Sequence, residues 1–261
     1  MDLQEQHWTK LFGKITTEGN YKKGIWTIYS AKKEVINSYE GWRIFSANEE
    51  KTIITHLNKF PSPDGTTREN NWIIEKEKCN QPDGLSHPAS LQNRGLALSE
   101  TGITAWISKK FELGRNFGVE LFLRNQDSND SIGSIYGETG KLEKILHIRE
   151  HLGSLPNQPV GKEIKHISGN WKGKKQSMTP DLKISAPVDT QELVLEPTDG
   201  KNETFFLPDG IVVNIPTTLN LGEKFEIVAG KLMGNEYKRL TAKYDDSGAF
   251  ILLISELFHL Q

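Results

Sequence analysis

The feature that most constrains this 261-residue chain is an internal repeat. At an offset of 108 positions, Gly102 to Leu152 aligns with Gly210 to Leu260 without a gap. The ten identities include Gly102-Ile103 with Gly210-Ile211, Leu113-Gly114 with Leu221-Gly222, Phe117 with Phe225, Tyr136 with Tyr244, and His151-Leu152 with His259-Leu260. Apolar residues exchange for apolar ones at Val119/Ile227, Ile132/Leu240, Leu142/Phe250 and Leu146/Ile254. Matched turn glycines and matched apolar positions together read as a duplicated β unit. The repeat predicts an N-terminal domain over 1–155, a linker over 156–163 and a C-terminal domain over 164–261. Each is long enough to bury its own core.

Local texture supports strands. Leu3, His7, Trp8, Leu11 and Phe12 fall at helical spacing, so Leu3 to Phe12 is expected to be a short amphipathic helix that Gly13 ends. From Gly19 onward, short β-branched and aromatic segments alternate with Gly, Pro, Asn and Asp. Strands are expected near Asn20–Tyr29, Val35–Phe45, Thr52–Lys59, Asn71–Lys78, Gly95–Leu98, Gly102–Ser108, Asn116–Arg124, Ser131–Tyr136 and Lys141–Arg149. Eight more follow, Leu182–Ser185 and Glu192–Glu196 among them. Pro61-Ser62-Pro63-Asp64-Gly65 is a turn in which proline sets φ and glycine accepts positive φ. Asn80 to Ser90 reads as a longer loop. The fold class is all-β: two tandem antiparallel β-barrels with a short N-terminal helix.

Alternate side chains of a strand share a face. Phe117, Val119, Leu121 and Leu123 lie in one phase, as do their counterparts Phe225, Ile227 and Ala229. That phase is expected to be the interior. The opposite phase, with Gly118, Glu120 and Arg124, is expected to face out. Trp106, which meets Asn214 in the second copy, is expected in the contact between the copies or under the long loop rather than in a barrel.

The formal net charge is −2 with both signs mixed throughout, so no footprint for nucleic acid or an anionic membrane stands out. The longest apolar run, Phe250 to Ile254, is too short to span a bilayer. The opening residues lack the basic region and apolar core of a signal peptide. One cysteine, Cys79, excludes an internal disulfide and fits a reducing compartment. A cytoplasmic location is the expectation.

Gly19-Asn20-Tyr21-Lys22 and Gly169-Asn170-Trp171-Lys172 each open a first strand with glycine, one residue and a large aromatic. In a small barrel such an aromatic stoppers one end, with a basic side chain from the last strand across its face. Arg149 is placed to do this in the first copy; Leu257 stands at its counterpart. These residues resemble the lipocalin and calycin signature, with Tyr21 where that signature has tryptophan. The whole chain is similar to a cyanobacterial family with two calycin-like domains in tandem. The resemblance is carried by Trp8…Leu11…Gly19-Asn20-Tyr21, Phe117-Gly118-Val119-Glu120-Leu121-Phe122-Leu123, Ile148-Arg149-Glu150, Phe206-Leu207-Pro208-Asp209-Gly210-Ile211 and Tyr244-Asp245-Asp246-Ser247-Gly248-Ala249. It implies a small lipophilic ligand (a fatty acid, pigment or tetrapyrrole) inside a barrel. Relatives by fold include the phycobiliprotein lyases, so a lyase reading would bring a phycobiliprotein-like partner.

The residues themselves name no reaction and no cofactor. There is no phosphate loop, no Rossmann glycine fingerprint and no Gly-x-Ser-x-Gly. His147 and His151 are the nearest to a metal pair but lack a third ligand in sequence, so no metal site is expected. Cys79 has no identifiable partner base. Tyr136 and Tyr244, just before a hairpin turn, are expected to anchor that turn, with a hydroxyl reaching into a pocket as the sharper reading. A ligand cavity is apolar and aromatic with few polar groups; Trp26, Trp72, Tyr136, His147 and Arg149 are the candidates to line it. The first copy is the expected pocket, and the phenylalanine-rich second copy is expected to be filled. The alternatives are a chromophore lyase, isomerase or cyclase using the same cavity, and a pair of filled barrels acting as an interaction module.

Overall fold

The computed structural model describes residues 2–14, 20–100, 102–125, 127–155, 161–190, 192–195 and 201–261. Helix α1 (Leu3–Phe12) starts where Asp2 Oδ1 accepts the Glu5 N–H at 2.7 Å, and Gly13 follows its end. Its apolar side buries His7, Trp8, Leu11 and Phe12.

Eleven antiparallel strands form the first sheet: β1 (Asn20–Ser30), β2 (Val35–Ala47), β3 (Ile53–Pro61), β4 (Thr67–Glu75), β5 (Asn80–Gln81), β6 (Gly84–His87), β7 (Ser90–Leu96), β8 (Ala105–Ser108), β9 (Phe117–Asn125), β10 (Ser128–Tyr136) and β11 (Leu142–Leu152). Their order is β4-β3-β2-β1-β11-β10-β9-β8-β7-β6-β5. The second sheet has seven: β12 (Trp171–Met178), β13 (Val188–Asp189), β14 (Glu203–Leu207), β15 (Ile211–Ile215), β16 (Phe225–Met233), β17 (Glu236–Tyr244) and β18 (Phe250–Leu260), ordered β13-β12-β18-β17-β16-β15-β14. The protein is nearly all β, a large near-closed barrel sheet plus a second sheet and one short N-terminal helix. The first sheet curls on itself: Arg43 on β2 reaches Glu120 on β9, although β1, β11 and β10 lie between them in the sheet. Its seam falls between β4 and β5, where a helical turn (Lys76–Cys79) connects the edges. There Trp72 of β4 meets His87 of β6 across the gap, with ring centroids 5.1 Å apart. Helix α1 packs Trp8, Leu11 and Phe12 with Phe45, Ile54, Ile74 and Phe122, stoppering one end.

Several local expectations shift. The loop expected over Asn80–Ser90 holds β5 and β6, and the strand expected to reach Lys78 gives way to the helical turn. Among the described residues, Leu182–Ser185 makes only a single bridge, Met178 to Ile184. The stretch 192–195 is not in a strand, and 196 lies outside the described residues, as do Gly19 and 156–160 of the expected linker.

The larger correction concerns the faces. Phe117, Val119, Leu121 and Leu123 are buried, but against Ile211, Val213, Ile215, Phe225, Ile227 and Ala229 of the other sheet, in one shared core. Glu120, Phe122 and Arg124, on the side expected to face out, point into the barrel. Trp106 lines that barrel as well, and its ring also meets His87 of the former loop. Alternation shows that a strand has two unlike faces; it does not say which one the sheet curls around. Here the uniformly apolar face was needed to join the two sheets.

That junction repeats itself at the offset of the sequence. Tyr136 Oη donates to Pro216 O at 2.8 Å, and Tyr244 Oη donates to Ser108 O at 3.0 Å. Leu142 N donates to Thr217 O, and Phe250 N to Lys109 O, both at 2.9 Å. Leu219 N donates to Gly140 O, and Phe111 N to Gly248 O, both at 2.8 Å. Each bond maps onto its pair when 108 is added to one residue and subtracted from the other. The two sheets meet through the same surface patch, as subunits of a two-fold dimer do. Tyr136 and Tyr244 thus cross to the other sheet rather than anchoring their own turn or entering a pocket. We expect Tyr136→Phe and Tyr244→Phe each to cost about 1–2 kcal/mol of stability, the usual penalty for stranding a buried carbonyl. Urea denaturation checks this, and unchanged midpoints in both would contradict the reciprocal junction.

Candidate functional site

The barrel holds a partly open cavity of about 200 Å³. Strand alternation builds it. On β11, Leu146 and Ile148 point in, while Ile145, of the opposite phase, packs in the core shared with the second sheet. On β9, Glu120, Phe122 and Arg124 are the inward set. Lys22 and Trp26 come from β1, Arg43 and Phe45 from β2, His56 and Asn58 from β3, and Trp106 from β8. Two glycines make room for the indoles. A Cβ on Gly41 would lie 2.8 Å from Trp26 Nε1, and one on Gly95 would lie 2.8 Å from the Trp106 ring.

The lining is aromatic, yet it carries buried charge. Arg43 Nη2 lies 3.6 Å from Glu120 Oε1, and Arg43 Nε lies 3.2 Å from Glu150 Oε1. The second contact pairs charges without hydrogen-bond alignment, since Arg43 Nε and Glu150 Oε1 both lack a hydrogen-bond partner among the described residues. Ser131 Oγ donates to Glu120 at 2.6 Å, and Asn129 Nδ2 to Glu150 at 2.9 Å. The Arg43 guanidinium lies over Trp26 and Phe122, 5.3 and 5.7 Å from the ring centroids. Burial alone would depress Arg43; Glu150 and Glu120 outweigh it and hold its pKa above the ordinary arginine value. Arg124 is pushed down to about 10 by burial and by Arg43, against the pull of Glu150. Trp26 Nε1 is a buried donor with no acceptor among the described residues.

A histidine pair borders the same space. Ala89 N–H donates to His87 Nδ1 at 3.1 Å, which leaves His87 Nε2 to donate to His56 Nδ1 at 3.1 Å. His56 Nε2 then donates to Asn58 Oδ1 at 3.1 Å. Two neutral imidazoles satisfy this chain. His56 also stacks on Phe45, 4.3 Å between centroids.

Of the residues singled out in the sequence, Trp26 lines the cavity. Trp72 stands behind it at the seam, 5.0 Å from the His56 ring. Tyr136, His147 and Arg149 lie in the other phase of their strands. His147 Nε2 sits 2.8 Å from Asp130 Oδ1, and Lys231 of the second sheet pairs with the same carboxylate. Burial would raise Asp130; its bonds to His147 and Lys231 outweigh this and lower it. Arg149 Nη1 bonds Asp209 Oδ2 at 2.9 Å, so it ties β11 to the second half instead of covering Tyr21. Tyr21 meets Trp42 edge-on, with Lys23 over its ring. Arg149, Asp130, Asp209 and Lys231 line an open cleft of about 700 Å³ between the sheets. These four charges are matched in pairs, as a structural tie requires.

The charged cavity residues Lys22, Arg43, Glu120 and Arg124, and Glu150 that pairs with Arg43, were not singled out from the sequence. Their signal was the charge at alternate positions of β9, Glu120 and Arg124 around Phe122, which reads equally well as a solvated face. The second copy carries an aromatic cluster on the matching face. Trp171, Val212, Tyr237 and Phe258 pack together, and a Cβ on Gly230 would lie 2.1 Å from Tyr237 Oη. Among the described residues no group of three or more histidine, cysteine or acidic side chains is placed to hold a metal, and no helix is long and apolar enough to cross a membrane.

The N-terminal model of a family described as "Domain of unknown function (DUF3598)" matches residues 4–155. Residues 182–256 match the C-terminal domain model of "Biogenesis factor required for ATP synthase 1". No curated protein matches the chain. Among solved structures, a DUF3598 protein from Nostoc punctiforme superposes with a TM-score of 0.73 at 15% identity, covering 98% of this chain and 99% of that one. Kievitone hydratase from Nectria haematococca covers 93% of this chain and 89% of its own at 10% identity, but its TM-score of 0.22 supports nothing further. With the N-terminal model matched over more than half its length and the Nostoc fold shared end to end, the chain belongs to the DUF3598 family.

Proposed function

We propose that the N-terminal barrel binds one small, largely apolar molecule that carries a hydrogen-bond acceptor. The observation behind this is the cavity whose aromatic walls, Trp26, Phe45, Trp106 and Phe122, also carry the buried amine of Lys22, a donor with no partner among the described residues. A buried donor of this kind calls for a partner. The size sharpens the class. About 200 Å³ falls below the roughly 300–1,000 Å³ of drug-sized sites. A short acyl chain or a single ring fits, whereas a tetrapyrrole would need the barrel to open. The lipocalin-like reading is kept in this form. The lyase reading loses support, because Tyr136, His147 and Arg149, the polar groups it required, sit outside the cavity. Buried, unpaired Cys79 fits a reducing, cytoplasmic setting.

Native mass spectrometry of protein purified from its own source tests the proposal. We expect one small molecule per chain, or uptake of an added medium-chain alcohol or acid. Leu146→Trp, which fills the cavity, is expected to abolish uptake while costing about 1–3 kcal/mol of stability. Bare protein that takes up neither probe would sink the proposal.

A second reading has one observation in its favour. The match of residues 182–256 to a biogenesis-factor domain supports an assembly or interaction role for the filled C-terminal half. Under it, a protein partner co-purifies with the chain whether or not the barrel is filled by Leu146→Trp.

A further inference from the structure

Lys22 is the charged side chain of the cavity wall that the ion network leaves over. It lies on β1 in the inward phase and is 8% exposed. Among the described residues, its amine has no hydrogen bond or ion pair. Glu120 is held by Arg43 and Ser131, and Glu150 by Arg43 and Asn129. Arg43 pairs with both carboxylates, and Arg124, which donates to Ile103 O, adds a second guanidinium to the two carboxylates Glu120 and Glu150. The set is neutral only if Lys22 is an uncharged amine. An added ammonium would be an unmatched buried charge, which a low-dielectric interior penalises. Burial pushes the Lys22 ammonium down to about 7, with Arg124 and Arg43 adding and Glu150 opposing. A desolvated lysine beside fixed cations is the arrangement that makes this side chain a nucleophile near neutral pH.

We propose that Lys22 captures carbonyl compounds: the barrel admits a small apolar aldehyde or ketone, and Lys22 Nζ joins it as an imine. This rests on the reading of the cavity as a site for an acceptor-bearing apolar molecule and names the acceptor. The Nζ lone pair attacks the carbonyl carbon, and the C=O π pair moves to oxygen, which takes one Nζ proton to give a carbinolamine. The nitrogen lone pair then forms C=N as the C–O bond breaks, and the second Nζ proton leaves with that oxygen as water. One water is released and nothing is oxidised or reduced. An unprotonated imine preserves the two-against-two balance of charge, whereas a carboxylate ligand would require a protonated Lys22.

The test is reductive trapping on the full chain. Hexanal and cyanoborohydride are added at pH 7, and the labelled lysines are mapped by peptide mass spectrometry. Hexan-1-ol and hexanoate serve as non-covalent probes by native mass spectrometry. At this pH an ordinary lysine is about one part in a few thousand neutral, so Lys22 should be labelled at least roughly tenfold above the mean of the other lysines. The preference should vanish in urea and in Lys22→Met; if that variant fails to fold, the comparison of folded with urea-unfolded wild type still decides. Even labelling of all lysines with hexan-1-ol still bound would overturn carbonyl capture and leave the cavity reading standing. Preferential binding of hexanoate with Lys22 unlabelled would overturn capture in favour of an anion site. Failure of every probe to bind would overturn both.

Discussion

Replacing Arg43 by methionine is expected to destabilise the protein by about 3–5 kcal/mol, the cost of removing one partner from a buried ion network. Arg43 is the cation that Glu120 and Glu150 share. The Glu150 side chain is 1% exposed, so its charge has no recourse to water. Methionine fills much of the stem's volume and can lie against Trp26 and Phe122, so the loss should come from stranded carboxylates rather than a void. The triple variant Arg43→Met, Glu120→Gln, Glu150→Gln is therefore expected to recover most of the stability. Urea denaturation of both variants separates the two causes. A loss under about 1 kcal/mol in the single variant, or no recovery in the triple, would show that the network is not what holds β2 to β9 and β11.

Acid should weaken the fold well before its carboxylates titrate. His7 Nε2 accepts the Ala97 N–H at 3.0 Å, His87 Nδ1 accepts from Ala89, and His56 Nδ1 accepts from His87. Each imidazole gives up an acceptor if it is protonated. Burial, aided by Lys10, pushes His7 down to about 4; burial, aided by Arg43, pushes His87 down to about 4. Burial, Arg43 and His87 hold His56 well below the usual histidine value. These folded-state values lie below the unfolded value of about 6.5, so the unfolded chain binds the extra protons. The stabilising contribution is complete above that unfolded value and drains away as pH falls towards the folded one of about 4. A shift of that size is worth about 3 kcal/mol for His7 or for His87 taken alone; His56 and His87 share a bond, so their contributions do not simply add. Denaturation midpoints measured from about pH 7.5 down to about pH 4.5 should fall steeply, and His7→Asn or His87→Gln should flatten the slope. A profile that stays level down to about pH 5 would contradict the neutral assignments.

Much of the strand pattern was legible. The segments from Phe117 to Leu152 and from Phe225 to Leu260 were expected within a few residues of where they form, because β-branched and aromatic runs between glycine turns have few other uses. The helix at Leu3–Phe12 followed from apolar spacing. Less legible were β5 and β6. They are short, and their pairing is driven by the closing seam rather than by local propensity. Trp26 lines the cavity, while Arg149 and His147 do not. Their strand, β11, carries polar residues in both phases, so nothing local separates the Glu150 side from the Arg149 side.

What the sequence determined by itself is the repeat, the strand periodicity and the existence of two unlike faces on β9 and β16. The tertiary structure alone decided which face the first sheet wraps around. Periodicity is a property of neighbours two residues apart, whereas the cavity depends on Arg43 meeting Glu120 and Glu150 from distant strands. A lone glutamate such as Glu120, between Val119 and Leu121, looks like a surface residue until the chain supplies its cation. The apolar phase could have filled a barrel, and instead it joins two sheets through reciprocal bonds such as Tyr136 to Pro216 and Tyr244 to Ser108. Burying that larger continuous surface between the sheets left the charged phase to line the inside.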